Sequence, residues 1–351
     1  MGLRVGVLGV GPVGSRIVRI LGERNFPVDG PVVIMATSER VETIDGRQVT
    51  VQKVSEELFK KLDLVFFAGK EGAKGASMEW SDVAVKCGCK IVDNGGDFRM
   101  YPNIPLVIPE VNMGAVTKDT KIVCNPNCST IQMAVALYPL HLAARLRRVV
   151  VSTFQSVSGH SGAGMDQLKT ELGLTLRGEP IPPNPAIFAR AIADNCIPHI
   201  DRFDPSGYTR EEIKMSNETR KIFGEPNLLI TATTVRVPVM IGHAESINAE
   251  FTEPMRAARA IDILSDPKLS PGVVCFDGAA DGGGASDARR YPVTEDLQRD
   301  EWKDAVLVGR VRDDTTAPNA INLWCVSDNL RKGAATNAVQ IAEGMLALGY
   351  L

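Results

Sequence analysis

The stretch Leu3-Arg-Val-Gly-Val-Leu8-Gly9-Val-Gly11-Pro12-Val13-Gly14-Ser-Arg-Ile17-Val18-Arg-Ile20-Leu21 decides the fold. Residues 3–8 are a nearly continuous apolar run, as strands buried on both faces are, and Ile17, Val18, Ile20 and Leu21 recur at helical spacing. Gly9, Gly11 and Gly14 fall between them as Gly-x-Gly-x-x-Gly. After a strand and before a helix, that pattern turns backbone N–H groups and a helix N-terminus toward a pyrophosphate. Gly9, Gly11, Pro12, Val13 and Gly14 are therefore candidate cofactor-binding residues.

Working outward, residues 32–36 complete a βαβ unit, and apolar runs at 64–67, 90–93 and 121–124 continue it. Helical patterns between these runs imply a parallel sheet. Beyond about residue 128 the runs at 148–154, 228–237 and 245–251 are longer and β-branched, which predicts a mixed or antiparallel second sheet. The proline-rich residues 179–186 and the glycine-rich residues 281–287 read as connecting loops. From 328 onward an amphipathic helix starting near Gly333 is expected to return to the first domain. The expectation is an α/β protein, with a Rossmann-like dinucleotide-binding domain over 1–128 joined by 329–351, and a second α/β domain with a mixed sheet over 129–328.

Composition sets outer limits. A chain of 351 residues suits two domains, and 44% hydrophobic residues suffice for their cores. Lys and Arg total 39 against 42 Asp and Glu, a formal charge of −3, so neither nucleic acid nor an acidic membrane is an expected partner. No apolar run reaches the roughly 20 residues of a spanning helix. The first residues enter a strand at once, and seven scattered cysteines make no disulfide framework, so a reducing cytoplasm is the expected location.

Three positions stand out for chemistry. Cys128, in Cys124-Asn-Pro-Asn127-Cys128-Ser-Thr130, falls where a buried strand gives way to a helix, and a helix N-terminus favours thiolate. The other six cysteines read as small buried hydrophobes, Cys87-Gly-Cys89 lacks zinc spacing, and no metal site is expected. His243, in Val239-Met-Ile-Gly-His-Ala-Glu245, sits beside a glycine and could partner a thiol; His199, flanked by Pro198 and apolar residues, reads as structural. Arg236 within an apolar strand calls for a partner, because an unpaired buried guanidinium is costly. After the second strand, Thr37-Ser38-Glu39-Arg40 offers both a carboxylate for ribose hydroxyls and an Arg for a 2′-phosphate.

Together Asn125-Pro-Asn-Cys-Ser-Thr130, Val150-Val-Ser-Thr-Phe-Gln-Ser-Val-Ser-Gly159, Arg236-Val-Pro-Val-Met-Ile-Gly-His243 and Asp328-Asn-Leu-Arg-Lys-Gly-Ala-Ala335 resemble the aspartate-β-semialdehyde dehydrogenase family. Pro109-Glu-Val-Asn112 and Glu211-Glu-Ile-Lys-Met215 lie between them, and the resemblance spans essentially the whole chain. It implies NADP-linked reduction of 4-phospho-L-aspartate to the semialdehyde through a Cys thioester, on the route to Lys, Met and Thr, with NAD as the alternative cofactor. It also implies Cys128 as nucleophile, His243 as acid and base and Gln155 as the amide orienting the acyl group. Arg236 would bind the α-carboxylate and Glu211 the ammonium, Glu212 being an equally charged neighbour. Arg99, Lys214 and Asn127 would bind phosphate. Thr37, Ser38, Arg40, Ser158, Gly159 and Asn329 would meet the cofactor, with Lys332 lining the same cleft between the domains. A homodimer or homotetramer is implied. The alternatives are a sister acyl-phosphate or acyl-thioester reductase and a catalytically silent paralogue.

This sequence departs from the family pattern in three places. Glu39 precedes Arg40 where the family places a phosphate-pairing Arg, and the glycine motif is one residue shorter. In the presumed phosphate segment, Asp93-Asn-Gly-Gly-Asp97-Phe-Arg99, two hydroxyls are replaced by glycines. If that segment is extended, Asp97 and Arg99 share a face, and the carboxylate competes with phosphate.

Overall fold

The computed structural model describes residues 2–69, 72, 75–183, 185–277 and 291–351. The loop expected at 281–287 and Asn184 of the proline-rich loop lie outside the described residues. The chain divides into two compact units, 1–127 with 334–351, and 128–333.

In the first unit, β1 (Val5–Leu8), α1 (Pro12–Glu23) and β2 (Val33–Ala36) form the opening βαβ. They are followed by β3 (Arg40–Ile44), β4 (Arg47–Lys53), the short α2 (Glu56–Phe59), β5 (Leu64–Phe67), α3 (Ala76–Lys86), β6 (Lys90–Asp93), the short α4 (Pro109–Asn112) and β7 (Ile122–Cys124). The sheet order is β3-β4-β2-β1-β5-β6-β7. All neighbours are parallel except β3 and β4, an antiparallel hairpin at the edge that the apolar-run reading missed. Its strands are half-exposed and polar, and its turn, Asp45-Gly46, carries positive φ at both residues.

The glycine motif has a steric reason. Gly9 has φ 115°, and a Cβ there would lie 2.4 Å from the Ala68 carbonyl oxygen, between β1 and β5. At Gly14 a Cβ would lie 2.0 Å from the Gly9 oxygen, so only glycine lets α1 pack this closely on its own turn. Among the described residues, nothing lies within 4 Å of the Cβ position at Gly11.

The second unit begins with α5 (Cys128–Ala144), buried along nearly all its length. Then come β8 (Leu146–Gln155), α6 (Gly162–Leu176), α7 (Arg210–Phe223), β9 (Leu229–Arg236), β10 (His243–Phe251), α8 (Ala257–Ser265), β11 (Val273–Cys275), β12 (Val306–Asp313) and β13 (Ala320–Ser327). The sheet is mixed, in the order β11-β12-β13-β10-β8-β9, with β8–β9 and β11–β12 parallel and the rest antiparallel. Its buried face, with Val149, Val151 and Thr153 of β8, alternates with a half-exposed one bearing an Arg148–Glu250 ion pair.

A wide turn at Arg331–Ala335 leads into α9 (Thr336–Ala347). Ala338, Val339, Ile341, Ala342 and Met345 of α9 pack in one core with Val5, Val7, Ile17 and Ile20 of the first unit. The helix is buried on nearly every face in its first turns, not amphipathic from Gly333 as its pattern suggests. The return to the first unit begins at Ala334, because residues 329–333 cluster with the second.

Candidate active site

Strand register in the second unit brings the chemistry to one edge of one sheet. Gln155 and Arg236 are paired neighbours at the ends of the parallel strands β8 and β9. His243 starts the antiparallel β10, one residue before the pairing of Ala244 with Phe154, and is itself paired with Ser327 at the end of β13. Glu211 projects from the first turn of α7, and its Oε1 accepts a 3.1 Å hydrogen bond from Gln155 Nε2. Cys128 is the first residue of α5, where the unshared N–H groups of the helix favour a thiolate. Gly333 packs against it, a Cβ there lying 3.0 Å from that of Cys128.

His243 is fully buried, and its Nδ1 accepts the Ser156 backbone N–H at 3.0 Å. A backbone N–H only donates, so the neutral ring carries its proton on Nε2. Nε2 has no hydrogen-bond partner among the described residues. Burial, and then the Arg236 charge, push the His243 pKa down to about 3, so the ring is neutral at physiological pH. Gly159 borders both groups: a Cβ there would lie 3.0 Å from Arg236 Nη1 and 3.3 Å from His243 Nε2. Gly159, which the resemblance gives to the cofactor, therefore also adjoins this cluster.

Arg236 is almost wholly buried, which lowers its pKa against the nearby Glu211 and Cys128. Its Nη1 donates to the Ser156 carbonyl at 2.6 Å.

Glu211 and Glu212, equally charged neighbours in the sequence, separate here. Glu212 caps its own helix, its Oε2 accepting from Thr209 N (2.7 Å) and its Oε1 from Thr234 N (3.0 Å). Glu211 is the one turned to Gln155. Lys214 Nζ meets Asp201 at 2.9 Å and Glu211 at 3.7 Å, so its charge is already answered by carboxylates.

Ser158 and Asn329, which the resemblance assigns to the cofactor, also hold the turn beside His243. Asn329 Oδ1 accepts from Ser156 Oγ (3.1 Å), Ser158 Oγ (3.1 Å) and the Gly242 N–H (2.9 Å). Both side chains are buried in tying the His243 turn to the end of β8.

Sequence reasoning passed over two groups on this sheet. Thr153 Oγ1 donates to Gln155 Oε1 at 3.1 Å, so Thr153 and Glu211 between them fix which way the amide points. Glu245, two residues past His243, is fully buried beside Gln132 of α5 and Cys325, and burial pushes its pKa up to about 8. Strand alternation from His243 was the available signal.

In the first unit, α1 starts at Pro12 with no capping side-chain hydrogen bond at its N-terminus among the described residues. Thr37 and Ser38 are exposed after β2, and Arg40 folds back, its Nη1 3.2 Å from the Ser38 carbonyl and its Nε 2.7 Å from Glu42. Buried Arg99 donates through Nη2 to the Asn94 carbonyl at 2.9 Å. Burial pushes the nearby Asp93 up to about 6, against hydrogen bonds from Gly95 and Ser77.

The segment at 94–99 turns; it is not extended. The Asp97 carboxylate accepts the Gly72 N–H, its two oxygens at 3.0 and 3.1 Å. Asn127, which ends the first stretch of this unit, is buried. No cluster of three or more His, Cys, Asp or Glu suited to a metal occurs among the described residues, and none of their helices is long and apolar enough to cross a membrane.

Residues 4–119 match the NAD binding domain of semialdehyde dehydrogenase, and 137–332 match its dimerisation domain. Aspartate-semialdehyde dehydrogenase 2 of Vibrio cholerae is 43% identical, over 95% of this chain and 94% of the relative. The aspartate-semialdehyde dehydrogenase of Aquifex aeolicus is 41% identical over the full length of both. The solved structure of the Vibrio cholerae enzyme II complexed with ASA superposes with a TM-score of 0.88 at 40% identity, covering 99% of each chain. With its motifs, its two domains and relatives matched end to end, the chain belongs to the aspartate-semialdehyde dehydrogenase family.

Proposed function

We propose that the protein converts 4-phospho-L-aspartate, reduced nicotinamide cofactor and a proton into L-aspartate 4-semialdehyde, inorganic phosphate and oxidised cofactor, through a thioester on Cys128. The observation that carries this reading is the convergence of Gln155, Arg236 and His243 at one sheet edge, with Glu211 bonded to Gln155 and Cys128 close enough to act on the Arg236 charge.

The Cys128 thiolate attacks the acyl carbon, and the C–O bond to phosphate breaks. The cofactor, when bound, supplies the hydride. His243 offers its Nε2–H to the acyl oxygen as negative charge grows there, and when the carbon–sulfur bond breaks the electron pair returns to Cys128. Gln155, held by Thr153 and Glu211, orients the acyl group. Arg236 takes the α-carboxylate and Glu211 the ammonium. Arg99 and Asn127 receive phosphate; Lys214 joins them only by leaving Asp201.

The uncapped start of α1 and the open space at Gly11 suit a dinucleotide pyrophosphate, bordered by Gly9, Pro12, Val13 and Gly14. Arg40 beside Ser38 suits a 2′-phosphate, which favours NADP over NAD, with Thr37 adjoining. The half-exposed sheet face of the dimerisation domain fits a homodimer or homotetramer, and seven free thiols fit a reducing cytoplasm.

Phosphate-dependent oxidation of aspartate semialdehyde, followed by cofactor absorbance with NADP and with NAD, tests the reading. Turnover with a higher kcat/KM for NADP, abolished in Cys128→Ser, is expected. No turnover with either cofactor, or full activity only on an aldehyde whose amine is acylated, refutes it.

A further inference from the structure

The Phe188 ring stands over the Arg236 guanidinium, its centroid 5.7 Å from Cζ. Phe188 belongs to the proline-rich connection between α6 and α7, a segment without regular structure whose position is nevertheless fixed. Gln167 Oε1 accepts the Ile187 N–H at 2.9 Å, just before the ring. Buried Glu171 accepts the N–H groups of Ile192 (2.6 Å) and Ala193 (2.9 Å), just after it, and is itself held by Gln167 Nε2.

Further on, Ile197 and Arg236 exchange both backbone hydrogen bonds, at 2.9 and 2.8 Å. One segment therefore grips Arg236 by its backbone through Ile197 and covers its side chain with Phe188. Room for the ring is left by Gly164, where a Cβ would lie 3.0 Å from Phe188 Cζ and 2.6 Å from the Val157 oxygen.

The guanidinium is thus constrained from two directions. Ser156 O holds Nη1 in the plane of the group, and the aromatic face covers it from above. A planar cation with its face covered and one nitrogen engaged has its remaining in-plane N–H groups left for a bidentate acceptor. An aromatic face also attracts the cation where water has been excluded.

We propose that Phe188 is a positioning residue for carboxylate recognition: by covering the face of Arg236 it fixes the guanidinium plane and selects substrates bearing an α-carboxylate. This rests on the proposed role of Arg236 and goes beyond it, since it places part of substrate selection on a loop aromatic that touches no reacting atom.

The test compares wild type, Phe188→Leu and Phe188→Tyr. Leu keeps apolar bulk against Val157, Leu168 and Ile192 but removes the aromatic face; Tyr keeps the face. KM for aspartate semialdehyde should rise about five- to tenfold in Phe188→Leu, as a lost cation–aromatic contact implies. Its kcat and its KM for phosphate and cofactor should stay within about twofold, and Phe188→Tyr should restore the wild-type KM.

The decarboxylated analogue 3-aminopropanal, which lacks the selected group, should gain relative to aspartate semialdehyde in the Leu variant. A uniform fall in kcat, equal shifts in every KM, no shift at all, or failure of Tyr to rescue would each overturn the proposal. A wild-type enzyme inactive on aspartate semialdehyde would instead overturn the proposed function, so the two failures are distinguishable.

Discussion

Replacing Glu245 by Gln should change the pH dependence of stability while conserving side-chain shape. The Glu245 carboxyl lies on β10 directly across from Cys325 on β13, whose Sγ is 3.6 Å from Oε2, with Gln132 of α5 alongside. Burial raises its pKa from the usual 4.5 to about 8, so at pH 6 the folded protein holds a proton that the unfolded chain has released. The corresponding stability is complete below pH 4.5 and is lost as pH rises toward 8, at about 1.4 kcal/mol per pH unit.

Between pH 5.5 and 8 the wild type should thus lose roughly 3 kcal/mol that a non-ionising Gln keeps. His243 works in the opposite direction: lowered from 6.5 to about 3, it contributes stability above pH 6.5 that is lost as pH falls toward 3, in both proteins alike. Cys325 is raised well above its usual 9 and titrates outside the window. Urea unfolding at several pH values, followed by tryptophan fluorescence, measures the difference, since Trp302 and Trp324 both report on the second unit. Parallel stability curves for wild type and Glu245→Gln across pH 5.5–8 would refute the assignment of a neutral buried acid.

His243→Asn should lower kcat by about 10² to 10⁴-fold with KM nearly unchanged, because Asn can accept the Ser156 N–H but has no imidazole Nε2–H to present to the acyl oxygen; a loss confined to KM would make His243 a substrate ligand. Asp97→Ala, expected from sequence to improve phosphate binding, should instead raise the phosphate KM or destabilise the fold by at most about 1 kcal/mol, since the carboxylate anchors the exposed Gly72 N–H. A lower phosphate KM in that variant would reinstate competition with Arg99.

The first sheet was legible where strands are buried on both faces, because continuous apolar runs such as Leu64–Phe67 leave little else for the chain to be. The β3–β4 hairpin escaped because edge strands face water on one side and alternate weakly, so Val41 and Val51 stand among charged and polar neighbours. Its Asp45-Gly46 turn was a stronger signal than either strand. The C-terminal helix was placed correctly along the chain but misjudged in character: Ala338, Ala342 and Asn337 look like a weak outer face, yet small residues are what a helix buried on all sides requires.

At the site, residue types were legible and their partners were not. Motif order marked Cys128, Gln155, Arg236 and His243, but the choice between Glu211 and Glu212 depends on a strand distant in sequence. The Thr234 N–H and the Thr209 cap consume Glu212, and one position along the helix Glu211 meets Gln155. Thr153 and Glu245 were passed over although each lies two residues from a recognised group on the same strand, and strand pairing sets them opposite each other across β8 and β10. The supporting residues are thereby predictable as a class, since a polar side chain at i±2 from a site residue on a buried strand shares its face and must find its hydrogen bond there. Applied to Arg236, this rule points to Thr234, which is buried and has its backbone N–H on Glu212 and its Oγ1 3.5 Å from the Thr209 hydroxyl. Thr234 thus fixes the helix that carries Glu211, so the ammonium and carboxylate receptors proposed here are held by the same three-residue stretch of β9, Thr234–Arg236.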